Sequence, residues 1–273
     1  MIIWYALGSW GITKVIMPWV IDFLIRSGLQ KNNYQRNPVP VAAGLAIIFG
    51  FSLPYAISAY FLSRDALISF FQILLLSWSI ALIGFVDDLL GDKDIKGLRG
   101  HLRSFWQGNL TTGGLKAVAI GTLAFGVASA QSVGIIEIII DSLIIAFFAN
   151  TLNLLDLRPG RAIKAYLTIS TMLFLVAGLS SSLLFMVGPF TASIAYLPYD
   201  LKEKAMLGDT GSNVLGAILG LGFVWFFSLQ VKAGVVFLLF SFHWLLERVS
   251  LTKIIEKNKV LRFLDNIGRL QPN

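Results

Sequence analysis

The sequence predicts an all-α fold, a polytopic integral membrane helical bundle of about nine transmembrane helices, and three observations carry that prediction. Of the 273 residues, 56% are hydrophobic and 14% charged, with a mean hydropathy of +0.76. In an ordinary soluble domain charged residues make up about 25%. The apolar residues gather in runs of about 20, the length that crosses a bilayer core as a helix. The basic residues fall in alternate loops, so the net charge of +7 reads as membrane topology and not as a nucleic-acid surface. With no cysteine, disulfides and thiol catalysis are excluded.

The first run, residues 2–25, lacks a basic leader region and a small-residue cleavage site, and reads as a retained span. Further runs cover 40–62, 66–88, 114–131, 134–153, 164–180, 181–198, 212–229 and 233–249. The second is approached through Asn37-Pro38-Val39-Pro40, where each proline fixes φ and restrains the residue before it, so the chain arrives extended. After the odd-numbered spans lie 19 of the 22 Lys and Arg residues; Arg64 and Lys232 fall in opposite loops and Lys14 within the first span. The positive-inside rule then sets the N-terminus outside and the C-terminus in the cytoplasm, in a multi-pass plasma-membrane protein. Residues 1–250 form one transmembrane domain and 251–273 a cytoplasmic amphipathic tail. In that tail Val260, Phe263, Leu264 and Ile267 recur at i, i+3, i+4, i+7 opposite Lys259, Arg262, Asp265 and Arg269, the pattern of an interfacial helix on an anionic leaflet.

The third span ends in two adjacent aspartates, Asp87 and Asp88, which are cheap only at the water boundary. Adjacent like charges raise each other's pKa, and the usual remedy is a shared cation, with hard oxygen ligands Mg²⁺ or Mn²⁺. The same face receives Asn153 and Asp156, at i, i+3, followed by the cations Arg158 and Arg161. It also receives the start of the eighth span, where Gly208-Asp209-Thr210-Gly211-Ser212 presents free N–H groups and a helix dipole suited to phosphate. Four distant stretches thus meet where a metal and a polyphosphate could be held. Glu137 and Asp141, near the outer end of the fifth span, read as water-facing acids.

Gly84-Phe85-Val86-Asp87-Asp88-Leu89, Lys96-Gly97-Leu98, Asn150 to Asp156, and Gly208-Asp209-Thr210-Gly211-Ser212 resemble, in order and spacing, the polyprenyl-phosphate N-acetylhexosamine-1-phosphate transferases of glycosyltransferase family 4. The likeness spans roughly residues 35 to 250. It implies transfer of N-acetylhexosamine-1-phosphate from a UDP-N-acetylhexosamine to a polyprenyl (undecaprenyl) phosphate, with Mg²⁺ and release of UMP, on the cytoplasmic face, for a cell-envelope polymer. By resemblance, Asp209 would ligate the metal, and Asp87 and Asp88 would act as metal ligand or general base in an unassigned order. Asn153 and Asp156 would hold donor and metal, and Lys96 a phosphate. Gly211 and Ser212 belong to the substrate-binding helix start. A homodimer is expected on the resemblance alone.

Three features depart from the family pattern. Pro40 is followed by Val41-Ala42-Ala43-Gly44 in place of a basic residue and two glycines. Leu157-Arg158-Pro159-Gly160-Arg161 replaces the usual continuation after Asp156, with Arg158 or Arg161 taking over phosphate binding. Of the late histidine cluster only His243 remains, and no tenth apolar run follows, which favours a simple UDP-N-acetylhexosamine over a pentapeptide-bearing donor. A diverged, inactive member or a transporter of a lipid-linked or anionic substrate is the competing reading. Against the transporter, no polar residues pair at mid-membrane depth in two halves of the chain.

Overall fold

A computed structural model describes residues 1–91, 111–178 and 182–269. Among the described residues eleven α-helices form: α1 Ile2–Arg26, α2 Leu45–Ser58, α3 Arg64–Leu90, α4 Thr112–Ser129, α5 Ile135–Leu155, α6 Arg161–Ala177, α7 Val187–Leu201, α8 Gly208–Phe226, α9 Leu229–Leu246, α10 Leu251–Lys257 and α11 Lys259–Asn266. Side-chain caps start three of them: Ser63 Oγ accepts the Ala66 N–H ahead of α3, Thr111 Oγ1 accepts the Gly114 N–H ahead of α4, and Asn258 Oδ1 accepts the Val260 and Leu261 N–H groups ahead of α11. A two-stranded antiparallel hairpin, β1 Gln30–Asn32 and β2 Pro38–Pro40, joins α1 to α2.

Among the described residues five helices, α1, α3, α4, α5 and α9, are long and apolar enough to cross a membrane. Their outward faces carry large apolar side chains, among them Phe71 at 62% and Phe237 at 69% exposure, a surface that water would not tolerate but lipid does. The protein is therefore a membrane helical bundle. Each of the nine apolar runs carries a helix, α1 to α9, but several ends differ from expectation. The second helix starts at Leu45, not residue 40, because Val39 and its flanking prolines pair with β1. The extended approach expected from the two prolines is thus a strand. Polar first turns extend two helices beyond their apolar runs, to Arg161 in α6 and Gly208 in α8. A short 3-10 turn, Leu183–Met186, precedes α7.

At the centre stands α8, buried along most of its length between α3 and α5. Its Gly216 and Gly220 lie against the α5 backbone, and a Cβ on Gly220 would sit 2.8 Å from the Ile145 Cα. Small residues four apart let two helices meet backbone to backbone, which compensates for the lack of a hydrophobic drive between helices in lipid. This contact fixes the ends of α5 and α8 side by side. At the other end of α5, Asp141 is not water-facing. It is fully buried, and the buried Lys232 at the start of α9 pairs with it at 2.9 Å and with Glu137 at 3.1 Å. An acid and a lysine brought together from two helices need no water.

Candidate active site

The end of α3, the start of α4, the end of α5 and the start of α8 converge at one end of the bundle. Their meeting point is the first turn of α8. Gly208 opens it with φ of +73°, a left-handed conformation that glycine adopts without a Cβ clash. The turn is held from two sides. Asp88 accepts the Asp209 and Thr210 N–H groups at 3.1 and 3.0 Å and the Thr210 hydroxyl at 2.7 Å, while Asp156 accepts the Gly208 N–H at 3.1 Å. Both carboxylates thus cap the positive end of α8. Burial, and then the carboxylates of Asp200, Asp209 and Asp88, push the Asp156 pKa well above the usual carboxylate range.

Beside this cap, Asp87 and Asp209 share one cation. Lys116 Nζ donates to Asp87 Oδ2 at 2.7 Å and also to Asp209 Oδ2, and all three side chains are largely shielded from solvent. Ser212 Oγ donates to Asn153 Oδ1 at 3.2 Å, and Asn213 Nδ2 to the Asp209 carbonyl at 2.8 Å. Gly84 lets α3 approach closely enough for this arrangement, since a Cβ there would come within 2.5 Å of the Asp209 carbonyl oxygen. Behind the turn, Ala43 and Gly44 donate their N–H groups to the Met206 and Leu207 carbonyls at 3.1 Å.

The structure therefore gathers Asp87, Asp88, Asn153, Asp156, Asp209, Gly211 and Ser212. Lys96 lies outside the described residues. The two arginines are engaged elsewhere. Arg158 lies over the Tyr34 ring, 4.3 Å from its centroid, and Arg161 is gripped through Nε and Nη2 by Asp265 at 2.8 and 2.9 Å. His243 packs tilted against the Phe147 ring and contacts the Leu239 carbonyl, within the α5 and α9 packing. Two residues escaped the sequence reading. Lys116 looked like one more loop cation, although it lies in the second turn of an apolar helix. Asp200, whose Oδ2 accepts the Gly160 N–H at 2.8 Å and so ties α7 to the loop before α6, sits in no recognisable motif.

Among the described residues no three acids or histidines converge as a preformed metal cluster. The donor set still fits Mg²⁺, which is commonly held by one or two carboxylates with substrate phosphates completing its shell. Asp87 and Asp209 already hold a cation, the Lys116 ammonium, between them.

Fold and site together define an integral membrane protein whose buried carboxylates, lysine and helix N-terminus face one end of the bundle. The chain belongs to glycosyl transferase family 4, whose model matches residues 70–227, a family of polyprenyl-phosphate hexosamine-1-phosphate transferases. It is similar to phospho-N-acetylmuramoyl-pentapeptide-transferases of Borrelia garinii subsp. bavariensis, 25% identical over 260 residues, covering 84% of this chain and 72% of the relative. The corresponding proteins of Borreliella afzelii and Borreliella burgdorferi are 24% identical over 258 residues, covering 84% of this chain and 71% of each relative.

Proposed function

We propose that this protein transfers N-acetylhexosamine-1-phosphate from a UDP-N-acetylhexosamine to a polyprenyl phosphate, at the cytoplasmic face of the plasma membrane, through a bundle of nine spans. The observation that carries this reading is the convergence of Asp87, Lys116 and Asp209 on the capped first turn of α8. An oxygen of the lipid phosphate attacks the sugar-bearing phosphorus of the donor. The new P–O bond forms as the phosphoanhydride bond breaks and UMP departs. Phosphoryl transfer of this kind demands positioning and charge neutralisation more than covalent help.

The chain's residues divide that work. The Ser212 hydroxyl and the Asn153 side-chain amide receive donor oxygens beside the capped first turn of α8. Lys116 neutralises charge near the reacting phosphates. Asp88 and Asp156 orient the turn. Asp87 and Asp209 would hold Mg²⁺, which supplies charge neutralisation on the diphosphate. The attacking phosphate monoester is largely ionised near pH 7, its second pKa being about 6, so an obligatory general base is not needed.

The test is UMP release by purified protein with undecaprenyl phosphate and Mg²⁺, offered UDP-N-acetylglucosamine, UDP-N-acetylgalactosamine or UDP-N-acetylmuramoyl-pentapeptide. The expected result is chelator-sensitive release with one of the simple N-acetylhexosamine donors. Asp209→Asn should abolish it, and Asp88→Asn should lower it by about 10–100-fold, the usual cost of losing a residue that orients a site. Full activity in both variants, while they remain folded, would overturn the assignment.

A further inference from the structure

The α10 and α11 helices begin just past the end of α9, where Arg248 lies over the Trp244 ring, 4.9 Å from its centroid, an aromatic and basic pairing typical of the membrane boundary. At its far end α11 is fastened to the first turn of α6. Lys164 Nζ donates to the carbonyls of Leu264, Asp265 and Ile267 at 2.9, 2.6 and 3.3 Å, and Asp265 grips Arg161. Arg269 Nε completes the tie by donating to the Pro159 carbonyl at 2.7 Å. Both ends of this segment are thus fixed, one at the end of the spanning helix α9 and the other at the first turn of α6.

Helix α11 turns an apolar arc outward. Val260 is 66% and Phe263 68% exposed, with Leu264 and Ile267 beside them, and the arc lies on the side of the helix away from Asp265 and its anchor. Lys253, Lys257, Lys259 and Arg262 are all exposed along the same segment, and the acids there are few. Glu256 lies 3.9 Å from Arg158, and Asp265 is paired. An apolar arc with exposed cations along the same segment complements a leaflet with anionic headgroups.

We propose that α11 docks on an anionic lipid leaflet, its apolar arc at the acyl boundary and the four cations on lipid phosphates. Docking clamps the Leu157–Gly160 loop between α11 and the membrane-spanning helices. The inference does not depend on the transferase assignment.

Because the chain has no cysteine, Phe263→Cys and Asn266→Cys each place a single nitroxide label in the full-length protein. The labelled proteins are reconstituted in nanodiscs of phosphatidylcholine with or without phosphatidylglycerol, and oxygen and nickel-chelate accessibility are measured by power saturation. With phosphatidylglycerol, the label at 263 should favour oxygen and the label at 266 the chelate. Changing Lys253, Lys257, Lys259 and Arg262 to Gln should return the 263 label to the chelate-accessible phase. A 263 label equally open to the chelate in both lipids would overturn the proposal. So would equal embedding without the anionic lipid, or occlusion from both reagents with dipolar coupling between labels, which would assign the face to a second copy of this chain.

Discussion

One ammonium decides the electrostatics of the site. Asp87 and Asp209 come from α3 and α8, and without Lys116 two carboxylates would face each other in a shielded space. Lys116 therefore stabilises the pair, and it would compete for the same oxygens with the divalent ion proposed there. Lys116→Met should lower turnover by at least about 10²-fold, the size of losing one preorganised charge-stabilising group. It should at the same time leave Mn²⁺ affinity unchanged or raised, as read by electron paramagnetic resonance titration. A variant that turns over normally would remove Lys116 from the mechanism. One that loses its metal affinity would show that the lysine orders the acids and does not compete for them. Asp87, Asp88, Asn153, Asp156 and Asp209 were legible because each stands in a polar motif at the end of an apolar run. Lys116 was not, since a lone cation beside a span edge has the same sequence pattern whether it faces water or acids.

Pairing between helices distant in sequence was the least legible level. Glu137 and Asp141 show only that two acids share a face of α5; that α9 packs there and brings Lys232 follows from the assembled bundle. The same holds for α5 against α8, although the Gly216 and Gly220 spacing hints at a close contact. The Lys232 pair lies at the opposite end of α5 from the acid cluster, so its loss bears on stability alone. Lys232→Met strands the buried Asp141, and breaking such a pair from one side costs about 3–5 kcal/mol. Thermal unfolding in detergent should show that loss, with turnover of the folded fraction unchanged. Adding Asp141→Leu to the same chain should restore most of the stability, because the fully buried acid is then gone and only Glu137, a third exposed, remains of the cluster. Equal damage in the single and double variants would mean that side-chain packing, not the uncompensated charge, carries the effect.

For the molecule as a whole, composition and apolar runs identified a helical membrane bundle, and the motifs identified the family. Helix ends slipped wherever a polar first turn or a strand replaced the edge of an apolar run, as at Arg161, Gly208 and Pro38 to Pro40. The structure gives the tail an anchor: Arg161, expected at a phosphate, is instead 6% exposed and held by Asp265. That anchor gives the tail a pH dependence. Burial pushes the Asp265 carboxyl up, but its bonds to Arg161 and Arg269, and their charges, outweigh burial and hold it below the usual carboxylate range. A carboxylate depressed in the folded state contributes stability that is fully present above its unfolded pKa of about 3.9 and disappears as pH falls through the lower folded value. Asp265→Asn removes that contribution and leaves Arg161 buried without its partner, so amide hydrogen exchange over residues 259–269 should be faster than in wild type at neutral pH. The difference, corrected for intrinsic exchange rates, should hold down to about pH 5 and close only below about pH 4, where the wild-type carboxyl also takes up a proton. A difference that closed by pH 6, or never closed, would show that something other than the Asp265 charge fastens the tail.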